Sequence, residues 1–400
     1  QKENRQATST EQRILAKYVG WGGLANTFFD ENLKRYEGQR QTLKSLVTPN
    51  EYAEMRQSSL TAYYTDPEII RSIYLHLEKQ GFKGGRILDP AMGTGNFFSA
   101  MPADLRDNSQ LYGVELDSLS GAIAKQLHPD TDVKVQGFET TAYNDKSFDL
   151  VIGNVPFADF SIMDDKYGKP YAIHDYFFKK SMDLVRDGGV VAFITSTWTM
   201  NKKSTQFRNE LNGIASFVGG VRLPNDAFKH IAGTDVATDI LFFKKGEYAH
   251  TIDNWIDTAP IPNPSGGVLE GVVSNDYFTD LDKVAGQYIT KNFHGKTLSV
   301  APFDKPLIEQ VDKILDNQSF TFDSDLSSYG VSVEKETSSS QFDMATLPEE
   351  VLNLEPQSHI IVDKKIYFND GIDGIDNNVS IRFDTSSLAL IFVIITMLTF

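Results

Sequence analysis

Short apolar runs alternate along the chain with amphipathic stretches of helical spacing. An apolar run bounded by turn residues predicts a strand buried on both faces, and an amphipathic stretch predicts a helix that packs on the sheet. The predicted strands are residues 86–89, 110–116, 133–136, 148–152, 189–195, about 215–222 and 236–244. This alternation predicts an α/β protein whose ligands bind at the carboxyl ends of the strands.

The helix before the first strand has clear boundaries in the sequence. Asp66 is placed to cap its amino end, and Pro67 suits the first turn because its missing N–H is not needed there. Apolar side chains then recur at helical spacing, at Ile69, Ile70, Ile73, Tyr74 and Leu77. We therefore predict a helix over residues 68–79.

The first predicted strand ends in Asp89, and a turn with two glycines, Gly93 and Gly95, follows it. A strand, a glycine turn and a helix together commonly bind a nucleotide-like ligand. A dinucleotide site is disfavoured because Phe98 stands where the third glycine is needed, and a triphosphate site is disfavoured because no lysine follows either glycine. An acid beside a turn without a cation suits a ligand with an ammonium group and a ribose, such as S-adenosylmethionine.

Two further motifs follow downstream. The second strand ends in Glu115, 26 residues after Asp89, and an acid at this point binds ribose hydroxyls. The strand at 148–152 continues into Asn154-Val155-Pro156-Phe157. The joint pattern of Asp-Pro-Ala-x-Gly-x-Gly-Asn-Phe, an acid-tipped strand and Asn-x-Pro-Phe resembles the DNA methyltransferases that modify the exocyclic nitrogen of adenine.

This resemblance covers about residues 60–246. It implies a Rossmann-like class I methyltransferase fold, with a seven-stranded, mostly parallel sheet, helices on both faces and an antiparallel last strand. It also implies S-adenosylmethionine as cofactor and target recognition in the C-terminal region. The cofactor-binding residues that it implies are Tyr64, Thr65, Asp89, Pro90, Ala91, Gly93, Gly95, Asn96, Phe97, Glu115 and Phe138.

The end of the third strand departs from the family pattern. Relatives often carry an acid there that binds the adenine amino group of the cofactor, followed by a phenylalanine that packs on the adenine. Phe138 matches the phenylalanine, and an ordinary core position is the alternative for it. Gly137 stands in place of the acid, so Glu139 would have to substitute from the next turn.

The resemblance assigns the chemistry to Asn154, Val155, Pro156 and Phe157. Adenine's amine is a poor nucleophile because its lone pair is delocalised into the ring. The Asn154 side-chain oxygen and the next backbone carbonyl can accept the two amino hydrogens and favour a tetrahedral nitrogen. Pro156 rigidifies the loop, and Phe157 offers a face for a base that has left the DNA stack. Relatives commonly have proline where Val155 stands; the carbonyl survives this change. The mechanism requires no metal.

The stretch Tyr18-Val19-Gly20-Trp21-Gly22-Gly23-Leu24 resembles the methylase portion of very large plasmid and phage proteins, in which a helicase follows. We therefore expect double-stranded DNA as substrate, and a helicase either as a partner or in a missing downstream domain. A helix is predicted to start at Ser9, and Trp21 is expected to be a buried anchor beside a turn.

Composition narrows the function classes. The chain has no cysteine, which excludes disulfides, thiolate metal sites and a cysteine nucleophile and fits a cytoplasmic location. The first residues do not form a signal peptide. The net charge of −16 is unfavourable for binding DNA. However, the last hundred residues hold 17 Asp and Glu against 6 Lys and Arg, so the first three hundred are nearly neutral, with 37 against 32.

We predict four segments. They are an N-terminal helical extension (1–60), the S-adenosylmethionine-binding core (61–246), a target-recognition or linker region (247–330) and an acidic C-terminal segment (331–400). The last segment ends in 13 apolar or near-apolar residues, 388–400, which is shorter than the ~20 residues that span a bilayer as a helix. We expect this run to be an abnormal end of a once longer protein, and we expect no membrane partner.

The sequence leaves two other functions open. A methyltransferase of RNA or of protein glutamine needs a similar Asn-Pro-aromatic loop, because it also holds a planar amine or amide. A methylase-derived DNA-binding module without activity is the second alternative, supported by Val155 and Gly137. Lys202, Lys203 and Arg208 are candidate phosphate contacts, and a solvated charged face is the alternative for them.

Overall fold

The structure is a computed structural model. It describes residues 5–22, 24, 27–59, 65–156, 158, 160–228, 236–246, 252–292, 296–322 and three later strands. Tyr64, Phe157 and the run 388–400 lie outside the described residues. Residues 16–322 belong to one compact unit, and residues 5–15 and the last three strands belong to a second.

The helices and strands follow in chain order. The helices are α1 (Ser9–Leu15), α2 (Glu37–Leu46), α3 (Pro49–Ser58), α4 (Pro67–Lys79), α5 (Asn96–Ser99), α6 (Ala103–Asp107), α7 (Ser118–Leu127), α8 (Ile173–Leu184), α9 (Trp198–Asn201), α10 (Gln206–Asn212) and α11 (Leu307–Asp316). The strands are β1 (Gly85–Asp89), β2 (Ser109–Glu115), β3 (Asp132–Val135), β4 (Phe148–Asn154), β5 (Ser161–Met163), β6 (Pro170–Ala172), β7 (Val185–Ser196), β8 (Ala215–Leu223), β9 (Thr238–Lys245), β10 (Thr258–Pro262), β11 (Val268–Asn275), β12 (Gln287–Asn292), β13 (Lys296–Ala301), β14 (Ser358–Val362), β15 (Lys365–Asn369) and β16 (Ile375–Val379).

Seven strands form one sheet in the order β3-β2-β1-β4-β7-β9-β8. The pairs from β3 to β7 are parallel. β9 is antiparallel to both of its neighbours. The predicted strand positions and the mostly parallel, Rossmann-like α/β sheet with an antiparallel last strand are therefore confirmed.

Helices cover both faces of this sheet. On one face α4 buries Ile70, Ile73 and Leu77 against strand residues such as Ile152, and α11 adds Val311 to the same cluster. On the other face α8 packs its aromatic side chains against Phe193, Phe243 and their neighbours. The strands are consequently buried on both faces, as their continuous apolar runs predict.

The predicted amino end of α4 is confirmed. The Asp66 carboxylate accepts a hydrogen bond from the Glu68 amide at 2.8 Å, and Pro67 occupies the first helical position. The cap satisfies an amide that the helix itself leaves without a partner. Because α4 begins beside the carboxyl end of β4, residue 65 lies close to Asn154.

Trp21 is a buried anchor, as expected. It is 1% exposed, and its ring lies 5.7 Å from that of Phe28 and 5.4 Å from that of Phe29.

In the second unit, α1 begins at Ser9, as predicted, with Thr8 as its cap. The Glu11 carboxylate accepts from the Thr8 amide at 2.7 Å, and Thr8 Oγ1 accepts from the Glu11 amide at 3.3 Å.

The region after residue 246 contributes to the core of the first unit. Trp255 is 1% exposed and packs 5.1 Å from Phe243. The hairpins β10–β11 and β12–β13 follow, and after α11 the Phe322 ring lies 4.8 Å from that of Phe82. β14, β15 and β16 form a separate antiparallel sheet in the second unit. The boundaries of the four predicted segments stay predictions.

Candidate active site

The loops after β1, β2 and β4 meet at the carboxyl edge of the sheet, where the sequence predicts the site. Asp89, at the end of β1, is 1% exposed. Its Oδ1 accepts from the Ala91 amide at 3.1 Å. A Cβ at Gly153 of β4 would lie 2.6 Å from this oxygen, so the glycine makes room for the carboxylate.

The second oxygen of Asp89 has no hydrogen-bond donor among the described residues. Burial raises the pKa of this carboxyl well above its usual range, the Ala91 amide opposes that rise, and the charge of Glu115 adds to it. A buried carboxylate oxygen without a donor has a large desolvation cost. A cationic or hydrogen-donating ligand group would remove that cost, which fits the ammonium end of the predicted cofactor.

The glycine turn requires its glycines. Gly93 and Gly95 have φ values of 56° and 92°, a region that side chains with a Cβ rarely adopt. A Cβ at Gly95 would also lie 2.3 Å from Nε2 of His128, whose ring closes the back of the turn. The Met92 amide donates to Val114 O at 2.9 Å and fixes the turn to β2.

The residues around the turn differ in burial. Pro90 and Phe97 are buried, and Ala91 and Asn96 are half-buried. The helix that follows, α5, has four residues. Its dipole is correspondingly small.

Glu115 joins the second strand to the glycine turn. Its Oε2 accepts from the Gly93 amide at 2.8 Å, and its Oε1 accepts from the Asp117 amide at 2.8 Å. Burial raises the pKa of Glu115 to about 7; the two amides oppose the rise, and the charge of Asp117 adds to it. The carboxylate thus lies beside Gly93 and within the same site as Asp89.

In the loop after β3, the Glu139 carboxylate lies against Gly137, the position at which relatives often carry an acid. A Cβ on Gly137 would lie 2.0 Å from Oε1 of Glu139. The Glu139 carboxylate therefore occupies the space that an acidic side chain at position 137 would use. Phe138 is 3% exposed and packs 5.0 Å from the Phe177 ring; the structure places it in the core, and its contact with a cofactor stays a prediction.

Asn154 is the last residue of β4. Its Nδ2 donates to Oγ1 of Thr65, which is 2% exposed, at 3.2 Å. Val155 is fully buried, and its amide donates to Ile194 O of β7 at 3.0 Å. Proline could not form this bond, so the valine extends the β4–β7 ladder by one hydrogen bond. Pro156 follows, half-buried.

Sequence reasoning missed Lys180 of α8. Its Nζ donates to the carbonyls of Phe138, Glu139 and Thr141 at 2.7, 3.1 and 3.3 Å. It also lies 3.6 Å from Oδ2 of Asp164. A lysine within an apolar helix face is the only signal in the sequence, and it does not reveal these partners.

Sequence reasoning also missed a contact of the N-terminal region. Glu54 of α3 accepts a hydrogen bond from the Ser118 amide at 3.2 Å, at the start of α7. Ser118 follows closely on Glu115, so α3 lies beside the predicted ribose-binding end of the site. The capping pair at the start of α3, Thr48 and Glu51, is a recognisable helix-start signal, but the contact with α7 depends on tertiary structure.

Two of the candidate phosphate contacts have structural roles instead. Arg208 is 1% exposed and donates to the carbonyls of Ile256 and Lys202 at 2.6 and 2.8 Å. Lys202 forms an ion pair with Asp175, which lies in the first turn of α8. Lys203 is exposed.

The described residues contain no group of acidic or histidine side chains that could hold a metal ion. No helix in the described part of the chain is long and apolar enough to cross a membrane.

Known proteins resemble this chain over part of its length. The defence against restriction protein B of Escherichia phage P1 is 29% identical over 244 residues, which are 60% of this chain and 9% of that protein. The EcoEI type I restriction enzyme methylase subunit of Escherichia coli is 25% identical over 230 residues, 50% of this chain and 45% of that subunit. The chain thus spans less than half the length of these curated relatives.

A solved type I restriction-modification methyltransferase subunit from Streptococcus thermophilus is 14% identical, with a TM-score of 0.44 over 64% of this chain and 52% of that one. The family model for N-6 DNA methylases matches residues 48–259, more than half of the chain. With the seven-stranded sheet and the loops at its carboxyl edge, this match makes the chain a member of the N-6 DNA methylase family.

Proposed function

We propose that this site transfers a methyl group from S-adenosylmethionine to the exocyclic N6 of adenine in DNA. The observation that carries the proposal is the position of Asn154 at the end of β4. Its Nδ2 lies 3.2 Å from Oγ1 of Thr65, and β4 pairs with β1, the strand that ends in Asp89. An amide that can hold an amine thus lies beside a carboxylate suited to the cofactor.

The residues present fit the cofactor. Asp89 has a buried oxygen that lacks a donor among the described residues and suits the ammonium group. Glu115 suits the ribose hydroxyls, and the Glu139 carboxylate beside Gly137 suits the adenine amino group. The remaining residues of the proposed site are Tyr64, Thr65, Pro90, Ala91, Gly93, Gly95, Asn96, Phe97 and Phe138.

Asn154 and Val155 orient the amine. The Asn154 side-chain oxygen and the Val155 carbonyl accept its two hydrogens, which directs the nitrogen lone pair out of conjugation with the ring. When bound, S-adenosylmethionine supplies a methyl group on a sulfonium sulfur, which keeps the bonding electron pair as the methyl moves to nitrogen. The nitrogen releases one proton in the same reaction. Pro156 and Phe157 hold the base after it leaves the duplex.

Two observations weaken the alternative of an inactive module. Val155 adds a hydrogen bond to β7 that proline could not form, and the Glu139 carboxylate fills the space beside Gly137. Both departures from the family pattern therefore have compensating contacts. No contact in the described residues specifically favours RNA or protein glutamine over DNA.

The biological setting follows from the relatives as a proposal. We place the protein in the cytoplasm, acting on phage or plasmid DNA. A role in restriction-modification, or in defence against restriction, agrees with the names of the two curated relatives. A helicase as partner or as a further domain stays part of this proposal, since the chain matches only a small portion of the phage protein.

The test is transfer of a labelled methyl group from S-adenosylmethionine to unmethylated double-stranded DNA, followed by digestion to nucleosides. We expect N6-methyldeoxyadenosine in the digest. RNA and a glutamine-containing peptide serve as competing substrates, and label in either one but not in DNA would replace the proposed substrate. Cofactor binding without transfer to any of the three would contradict the proposed activity, whereas absence of cofactor binding would contradict the site itself.

A further inference from the structure

Several exposed apolar side chains follow or precede strands of the main sheet. Leu116 follows β2, Phe160 follows β4, Trp198 follows β7, and Val236 precedes the antiparallel β9. Leu116, Trp198 and Val236 therefore lie at the carboxyl edge of the parallel strands. Large exposed aromatic side chains such as tryptophan are enriched where proteins bind other molecules.

Trp198 is the most exposed of these side chains, at 66%. It lies close to Asn154 in the sheet, because Asn154 pairs with Ile194 and the strand β7 ends two residues later, at Ser196. The Trp198 amide donates to Ser196 Oγ at 3.2 Å, which turns the chain directly after the strand.

The short helix α9 holds Trp198 on a rigid support. The next two residues, Thr199 and Met200, are buried. Asn201 then accepts hydrogen bonds from Arg222 at 3.1 Å and from the Asn275 amide at 2.9 Å. The indole is thus fixed at its base by buried neighbours, while its ring is left in solvent beside the site.

We propose that Trp198 is a stacking platform for a nucleobase of the bound DNA. A large aromatic face on a fixed support stacks on any base, because every base has a π-face. The exposed Lys203, five residues further on, adds a positive charge suited to a neighbouring phosphate. The inference rests on the proposed function, because it assigns DNA to the same edge of the sheet.

Trp198 can be observed directly by fluorescence. The chain has three tryptophans, and Trp21 and Trp255 are each 1% exposed. Acrylamide-accessible emission therefore comes mainly from Trp198. The experiment titrates the 400-residue chain with sonicated, unmethylated DNA and, separately, with heparin, a polyanion without bases.

We expect DNA to quench the accessible emission and heparin to leave it nearly unchanged, because only DNA can stack on the indole. Trp198→Ala should weaken DNA binding about tenfold, and Trp198→Phe should retain most of it. Leu75→Ala is the matched control, since Leu75 is an exposed apolar side chain of α4 away from this edge, 42% exposed; it should leave binding unchanged.

Equal DNA binding by Trp198→Ala, or equal quenching by heparin, overturns the inference. A change in oligomeric state on gel filtration with unchanged DNA binding also overturns it, because Trp198 would then contact protein. Methyl transfer to DNA by the wild-type protein is measured in parallel. If transfer occurs and Trp198→Ala binds DNA normally, only this inference fails; if the wild type neither binds nor methylates DNA, both proposals fail.

Discussion

Arg222 and Asp239 lie opposite each other on β8 and β9 and form a fully buried, two-pronged ion pair, with nitrogen–oxygen distances of 2.7 and 2.8 Å. Arg222 also donates to Tyr288 Oη at 3.0 Å and to Asn201 Oδ1 at 3.1 Å. One side chain therefore connects two strands of the main sheet, the hairpin β12–β13 and the turn that holds Trp198.

Arg222→Met should lower the free energy of unfolding by about 3–5 kcal/mol, because it leaves Asp239 charged, buried and without its partner. Urea denaturation followed by circular dichroism measures the change. The double variant Arg222→Met/Asp239→Leu should recover part of the loss, since it removes the isolated charge as well. A loss below about 1 kcal/mol in the single variant would show that the pair contributes little.

Asn154→Ala should reduce the methyl-transfer rate at least ~100-fold, because it removes an acceptor for the amine. Cofactor affinity, measured by calorimetry, should change little. Thr65→Val is the companion variant: it removes the oxygen that accepts from Asn154 Nδ2 but leaves the amide in place, so its effect on the rate should be smaller. Unchanged transfer in Asn154→Ala would rule out the proposed role.

Glu115 should make cofactor binding depend on pH. Burial raises its pKa to about 7 in the folded protein, above the ordinary value of 4.5. The native state therefore disfavours the ionised form of Glu115, and this lowers the free energy of unfolding above about pH 7. The penalty should shrink, and the protein become more stable, as the pH falls from about 7 towards 4.5.

Cofactor affinity should follow the opposite trend, weakening as pH falls below about 7, if the ionised carboxylate binds the ribose. Calorimetric titrations between pH 6 and 8.5 measure this dependence, and Glu115→Gln serves as the control without the titrating group. Parallel pH profiles for the wild type and the variant would show that another group is responsible.

Gly95→Ala should destabilise the protein by more than ~1–2 kcal/mol, which is the cost of placing a residue with a Cβ in the left-handed backbone region. The φ of 92° is unfavourable for alanine, and the new Cβ would meet His128 Nε2 at 2.3 Å. Gly38→Ala is the matched control, because Gly38 lies in α2 with nothing within 4 Å of the added carbon; we expect a gain of about 0.5–1 kcal/mol there. Thermal unfolding measures the Tm of both variants. Equal shifts in Tm would show that the backbone conformation and the contact with His128 do not require glycine at position 95.

Lys180→Met should weaken cofactor binding about tenfold, because the loop 138–141 loses the group that binds three of its carbonyls. Lys179→Met is the control on the neighbouring helix position. Lys179 forms an i,i+4 pair with Asp183 at 3.6 Å and lies 5.3 Å from the centroid of the Tyr167 ring; pairs of this i,i+4 kind contribute about 0.3–0.5 kcal/mol. If both variants bind the cofactor like the wild type, Lys180 does not position the loop.

Local patterns in the sequence were sufficient for the strand positions and for the cap at Asp66. Apolar runs and turn residues are local properties, and they determine where a strand starts and ends. The sequence also places Asp89, Glu115 and Asn154 at strand ends, and parallel strands bring such ends together.

Contacts across long separations could not be predicted in this way. The pairing of Arg222 with Asp239 depends on strand register, and the bonds from Lys180 to the loop after β3 depend on how α8 packs. The break between α5 and α6, at residues 100–102, is likewise not evident from local patterns. The tertiary structure decides these features.

The reversed direction of β9 has a consequence for how such a protein can diversify. Because β9 is antiparallel to β7 and β8, the connection from Leu223 to Thr238 both leaves and re-enters the sheet at the edge where Asn154 lies. Extra residues inserted there would enlarge the surface at the edge proposed to face the substrate, without changing any strand pair. The fold thus allows selection to alter the proposed DNA-contacting surface independently of the proposed site.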